Sequence, residues 1–252
     1  MADQLWCDVS WWNGQVDFNK MKAAGARGVI LRLGSINNST GVCYEDREFR
    51  RNVVEAPKVF GPSVGGYWFM RPNHDPIKQA HFVIPLLVQF PVIKFLADDI
   101  EVAGQSGPVN VFNGNIATFY GTKKKAPIYT NPNTWLYLLS GDKSWANQYP
   151  LWQGQWGVSV PSSLAPWTAE QRVAWQYSAN GNHLGAQYGN GPAYNSLTGK
   201  YDAKPTVNMD LNKVNEDWIR DVCGVGPQPV TLEQRVADLE KRVKILEDAN
   251  SG

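Results

Sequence analysis

Cysteine, histidine and net charge are all scarce in this 252-residue chain. Its three cysteines, Cys7, Cys43 and Cys223, are too few and too widely spaced for a disulfide framework or a pair of C-x-x-C zinc knuckles, so the expectation is three buried thiols. The three histidines form no cluster at ligand spacing with the cysteines, and no H-E-x-x-H helix, Gly-rich phosphate loop or G-x-S-x-G elbow occurs. Metal, nucleotide and Ser-nucleophile chemistry therefore have no motif to rest on, and we expect neither a metal nor a cofactor. With 24 Lys+Arg against 23 Asp+Glu, the formal charge of +1 provides neither a basic field for nucleic acid nor a disordered acidic tail. No run approaches the roughly 18 apolar residues of a membrane span. The opening MADQLWCDVSWW lacks a basic stretch followed by an apolar one. Synthesis in the cytoplasm without a signal peptide, and no membrane insertion, are the corresponding expectations.

What the chain does have is apolar and aromatic substance. It is 43% hydrophobic and 19% charged, and its 11 Trp, 10 Tyr and 9 Phe exceed what a core alone asks for. A bulky core and a carbohydrate-facing groove are two outlets for them. Short apolar runs alternate with helical patterns. Strands are predicted at Leu5–Ser10, Gly28–Gly34, Val64–Met70, within PVIKFLADDIE and at PIYT. Helices are predicted at Asp17–Ala24, DREFRRNVVEAPKVF, PIKQAHFVIPLLVQF and Val109–Lys123. Gly25 stands where a left-handed residue ends the first helix. Near-continuous apolar strands between helices indicate a parallel sheet covered on both faces, and the length suits a closed β/α barrel. After Thr130 the helices shrink, while LWQGQWGV, RVAWQYS and VNMDL read as further strands, so the barrel is expected to close irregularly.

Composition changes at CGVGPQPV, which divides the chain into a catalytic barrel (residues 1–223), a Gly/Pro linker (224–230) and a C-terminal helix (231–252). In that helix Leu232, Val236, Leu239, Val243 and Leu246 are spaced 4, 3, 4, 3, the seam of a short coiled coil. Thr231 and Gln234 form a capping box at its start. Arg235 and Arg242 at g positions face Glu240 and Glu247 at e positions of a neighbouring parallel helix. The repeated R-h-x-x-h-E pattern favours a homotrimer, with a dimer second. The Lys123–Lys125 run reads as a solvated helix end.

Carboxylates remain as the chemically capable groups. In FLADDIEV, Asp99 and Glu101 stand at i and i+2 at the end of an apolar strand, so both project to one face about 7 Å apart. The C-terminal ends of barrel strands carry the active site in this architecture. Two acids held there can divide labour, one keeping its proton and the other staying ionised, as glycosidic bond cleavage requires. Asp8 closes the first strand and Asp210 the last, which would bring four acids to one rim. Asp98 alternates to the opposite face and is assigned no catalytic role.

These segments, taken in order, resemble the family 25 glycoside hydrolases, the lysozymes of the Chalaropsis type, common among phage endolysins. The resemblance rests on CDVSWWNGQVDFNKMKAAGARGVILRLG, YEDREFRRNVVEA, VGGYWFMRP, DIE, PIYTNPNTW, AWQYSANG and MDLN, and covers Leu5–Asn212. It implies an irregular β/α barrel and a peptidoglycan hydrolase that cleaves the β-1,4 bond between N-acetylmuramic acid and N-acetylglucosamine. Glu101 would then be the general acid. Asp99 would polarise the 2-acetamido group or attack directly, and Asp8 and Asp210 would tune charge and hold substrate. Tyr67, Tyr129, Trp152 and Tyr177 match aromatics lining the sugar groove. Trp68, where relatives often carry His, and Gln153-Gly154, after Trp152, depart from the family pattern and bear on subsite shape.

Bacterial peptidoglycan is thus the implied partner, reached after release from the host cell or as a virion-carried lysin. A chitinase of the D-x-D-x-E kind would need an acid where Ala97 stands. A wall-binding or virion structural protein that keeps the barrel but not the chemistry is the alternative from another class.

Overall fold

The computed structural model describes residues 3–179, 188–189, 191, 194–195, 200–201 and 209–225. The C-terminal residues 226–252, with most of the predicted linker and the whole coiled-coil helix, lie outside them.

Eight strands close into a barrel. In chain order the strands are β1 (Asp3–Val9), β2 (Gly28–Ile36), β3 (Cys43–Glu45), β4 (Val64–Phe69), β5 (Leu96–Ile100), β6 (Gly104–Gln105), β7 (Ile128–Thr130), β8 (Leu139–Ser140), β9 (Leu151–Gly154), β10 (Arg172–Ser178), β11 (Tyr194–Asn195), β12 (Lys200–Tyr201) and β13 (Asp210–Asn215). The sheet runs β1-β13-β10-β9-β7-β5-β4-β2-β3, and an additional β1–β2 pairing shuts the ring. Seven staves are parallel. The eighth, β13, is antiparallel to both β1 and β10, and this is the irregular closure. The short β3 hangs antiparallel on β2 outside the ring. The helices are α1 (Phe18–Ala23), α2 (Phe49–Phe60), α3 (Pro76–Gln89), α4 (Ser106–Tyr120) and α5 (Glu216–Cys223).

Side-chain alternation along each stave sorts the core into two layers. Outward residues such as Val9, Leu31, Leu33, Trp68, Leu96 and Ile100 form one buried cluster with α2, α3 and α4. Inward residues Trp6, Ile30, Ala97, Tyr129, Trp152, Ala174 and Val214 form a second, inside the barrel. Glycine at position 65 is required there, because a Cβ would lie 2.1 Å from the Phe95 ring. After β13, α5 adds Trp218, Ile219, Val222 and Cys223 to the interior cluster, with the Trp218 and Phe95 rings 4.8 Å apart. The barrel is therefore plugged at the end where the parallel strands begin, and its cavity opens at the other.

Several boundaries differ from the sequence reading. VNMDL was expected to end a strand at Asp210, whereas Asp210 begins β13. Because β13 runs antiparallel, its first residue reaches the same rim as the last residues of the parallel strands. Helix α4 spans Ser106–Tyr120 rather than Val109–Lys123, since Gly121 adopts a left-handed φ of 69° and its N–H returns to the last turn. The three lysines form a separate 3-10 turn capped by Thr122, so they do not end a helix. α2 starts at Phe49, three residues later than expected, because the Asp46 carboxylate accepts from the Trp11 and Glu48 backbone N–H groups instead. All three thiols are free, but Cys43 is only partly buried, because β3 lies outside the barrel ring.

Candidate active site

The open end of the barrel holds a cavity of about 480 Å³. Asp8, Asp99, Glu101 and Asp210 all line it, together with Tyr67, Tyr129 and Trp152. Each arrives by the same alternation that builds the interior core. On β1, Trp6 and Asp8 point inward; on β5, Ala97 and Asp99, with Glu101 one residue beyond the strand; on β7, Tyr129; on β9, Trp152. Tyr177 is not brought to the cavity. It lies on the outer face of β10, with its ring 5.8 Å from Trp175 and the Lys213 ammonium 5.4 Å from its centroid.

Asp8 is the most heavily partnered acid. Its Oδ2 accepts from Asn212 Nδ2 at 2.7 Å and from Gln176 Nε2 at 3.1 Å. Asn212 Oδ1 in turn accepts from Trp152 Nε1 at 2.7 Å. Gln176 Oε1 accepts from the Tyr129 hydroxyl at 2.8 Å and from Trp156 Nε1 at 3.1 Å. These bonds fix both amide orientations and tie five staves together at the level of Asp8. Asp8 and Asp210 sit opposite each other in the β1–β13 register and hydrogen-bond through their carboxyl groups. Burial first, then the charges of Asp8 and Glu101, push the Asp210 carboxyl up to about 9, so this pair holds a proton at neutral pH.

Asp99 and Glu101 are both raised as well. For Asp99 the cause is burial first and the Glu101 charge second, opposed by the Arg32 guanidinium, and its Oδ1 has no hydrogen-bond partner. For Glu101 burial again leads, followed by Asp8, with the nearby Tyr129 hydroxyl and the charge of Arg32 opposing. Asp99 is 5% exposed, whereas Glu101 reaches solvent at the cavity mouth while the cavity wall crowds its carboxyl. Burial thus favours the proton on Asp99, and Arg32 favours its ionised form. Two threonines hold the main chain beneath Glu101: Thr130 Oγ1 donates to the Ile100 carbonyl at 3.0 Å and Thr134 Oγ1 to that of Glu101 at 3.5 Å. Asp98, facing out of the barrel, is wholly buried with neither carboxyl oxygen partnered, and burial raises its pKa well above the usual range.

Of the two departures noted in the sequence, Trp68 lies outside the cavity. It is buried on the outer side of the sheet, where its indole N–H donates to Gln79 Oε1 at 3.0 Å. Gly154 does bear on the site, since a Cβ there would lie 2.6 Å from the Tyr129 hydroxyl. Arg32, Gln176, Asn212, Trp12 and Trp156 were not singled out from the sequence, although the first four left some trace. Arg32 is the one charge in GVILRLG, Gln176 alternates with two aromatics, Asn212 shares the face of Asp210, and Trp12 is half of a Trp pair following the first strand.

The site and fold together define a β/α-barrel protein with a rim of four carboxylates, walled by aromatic and amide side chains. The chain belongs to glycosyl hydrolases family 25, whose family model matches residues 7–186; Asp210 lies beyond the matched segment, yet its side chain completes the rim. The chain is 26% identical over 193 residues to lysozyme M1 of Streptomyces globisporus, which covers 69% of this chain and 61% of the relative. It is 28% identical over 180 residues to the autolytic lysozyme of Clostridium acetobutylicum, covering 69% of this chain and 50% of the relative. The chain therefore spans between half and about three-fifths of the length of these curated relatives. The CTP1L endolysin has the same fold, with a TM-score of 0.66 at 19% identity over 89% of this chain and 71% of that one.

Proposed function

We propose that this protein is a phage N-acetylmuramidase that hydrolyses the β-1,4 bond between N-acetylmuramic acid and N-acetylglucosamine in peptidoglycan. The observation that carries this reading is the pair Asp99 and Glu101 on one inner face at the open end of the barrel, within a single cavity that also holds Asp8 and Asp210. Lysozyme relatives and an endolysin of the same fold support it. So does the complete set of acids, which a purely wall-binding scaffold has no use for.

Glu101, at the mouth, is placed to protonate the leaving glycosidic oxygen. Asp99, deeper and beside Arg32, serves as the anionic partner that polarises the 2-acetamido group or attacks the anomeric carbon. The Asp8–Asp210 pair, holding its proton, limits the negative charge that Asp99 must face when it ionises. Incubation with purified bacterial wall tests the reading: turbidity should fall and mass spectrometry should find new reducing ends on N-acetylmuramic acid. Reducing ends on N-acetylglucosamine, or none, would refute it.

The heptad tail supports a further proposal, that residues 231–252 assemble the chain into a homotrimer, with a dimer as second choice, through the linker 224–230. Three linked barrels on one polymeric wall would raise each other's effective concentration. Light scattering should give three times the chain mass for the full protein and one chain mass for a chain ending at Gly226. A monomeric full-length protein at micromolar concentration refutes the assembly.

A further inference from the structure

Arg32 is the single cationic side chain lining the cavity among the described residues. It stands on β2 two residues above the inward-pointing Ile30, so an apolar residue would satisfy packing at this level of the barrel. Its Nε is buried without a hydrogen-bond partner, and its guanidinium forms no ion pair among the described residues. The charges of Asp46 and Asp99 act on the guanidinium from a distance and offset its desolvation, yet neither of them takes up its N–H groups, which stay available to a ligand. The group also reaches upward, with its Cζ 5.1 Å from the centroid of Phe69, a cavity-lining ring at the rim. The Arg71 guanidinium packs on the same ring at 5.3 Å, so positive charge continues from the cavity over Phe69. Among the described residues, every other charged group in the cavity is a carboxylate. An anionic substrate would be repelled everywhere except along this side.

We propose that Arg32 is a specificity-determining residue that binds a carboxylate carried on the 3-O side arm of muramic acid. This rests on the muramidase reading and deepens it, since the same sugar backbone without the acidic arm would leave the guanidinium unpaired. The carboxylate has two sources, the lactyl group itself in glycan stripped of its stem peptides, and the stem peptide where one is attached.

The test measures hydrolysis by the full chain, and binding by its Glu101→Gln variant, on three glycans. One is stripped of peptide with the lactyl carboxylate free, a second is the same material with its carboxyls coupled to methylamine, and the third bears its peptides and is used before and after the same coupling. The wild-type chain should show a KM about 10–100-fold higher on the neutralised glycan than on the acidic one, the range of a charge-assisted hydrogen bond. Arg32→Met should raise KM by a similar factor on the acidic glycan and add nothing on the neutralised one, while Arg32→Lys should recover part of the difference. A difference confined to the peptide-bearing glycan, before and after its own carboxyls are neutralised, would assign the stem peptide as the source.

Equal KM values on every acidic glycan and its neutralised form overturn the proposal, even if Arg32→Met does not fold. So does a folded Arg32→Met variant whose KM rises no more on the acidic form than on the neutralised one, which would make Arg32 only a counter-ion of Asp99. Absence of hydrolysis on all three glycans would instead refute the muramidase reading. Dissociation constants of the Glu101→Gln chain would still decide whether the carboxylate is bound.

Discussion

Replacing Glu101 with Gln should lower the rate of wall lysis by about 10²–10⁴-fold, the usual contribution of a positioned proton donor, with the fold unchanged. The side chain sits at the cavity mouth, and Gln keeps its volume while removing the transferable proton. The Tyr129 hydroxyl, already donating to Gln176 at 2.8 Å, keeps that bond in the variant. The matched control is Asp98→Asn, one residue before Asp99 but on the other face. Asp98 is buried among outer-layer residues, on the face turned away from the cavity, so Asn should leave lysis within a few-fold of the parent. Initial rates of turbidity loss, with circular dichroism to verify folding, measure both. Near-parental lysis by a folded Glu101→Gln chain would remove Glu101 from the chemistry, and an equal loss in the Asp98 variant would show that activity depends on the outer layer.

How far this site could be read before folding depended on the kind of signal each residue leaves. Asp99 and Glu101 were legible because alternation along a strand fixes which side chains share a face, and a strand's C-terminal end fixes the rim. Asp210 was found by sequence order, but the direction of its strand was not, because nothing local distinguishes a parallel from an antiparallel stave. Only the β1–β13 and β10–β13 pairings decide it. Tyr177 was assigned to the groove from resemblance, whereas the irregular register between Gln176 and Ser178 accompanies its placement on the outer face. Gln176 and Asn212 went unnoticed because amides lack a chemical signature of their own. Their role lies in the bonds they make to Asp8, across 168 and 204 residues of sequence.

Asp210→Asn should make the protein more stable at pH 8 while leaving it little changed near pH 4. The folded state holds a proton on Asp210 up to about pH 9, against an ordinary carboxylate value of 3.8. Between those limits the folded chain binds a proton that the unfolded chain has released, so stability falls as pH rises from about 4 to about 9 and the loss is complete above that window. Asp99 and Glu101 contribute with the same sign, since both are raised. Each unit of difference is worth about 1.4 kcal/mol, and discounting for the partial exposure and coupling of Asp210 leaves on the order of 2–4 kcal/mol between pH 5 and 8. Asn at this position is neutral throughout and its amide can donate to Asp8 in place of the shared proton. The parent should therefore lose thermal stability steadily over this range, and the variant should follow a flatter line, melting about 5–10 °C higher at pH 8. Parallel pH profiles for the two chains, measured by thermal denaturation, would show that Asp210 is ionised in the folded protein and that the cluster's proton resides elsewhere.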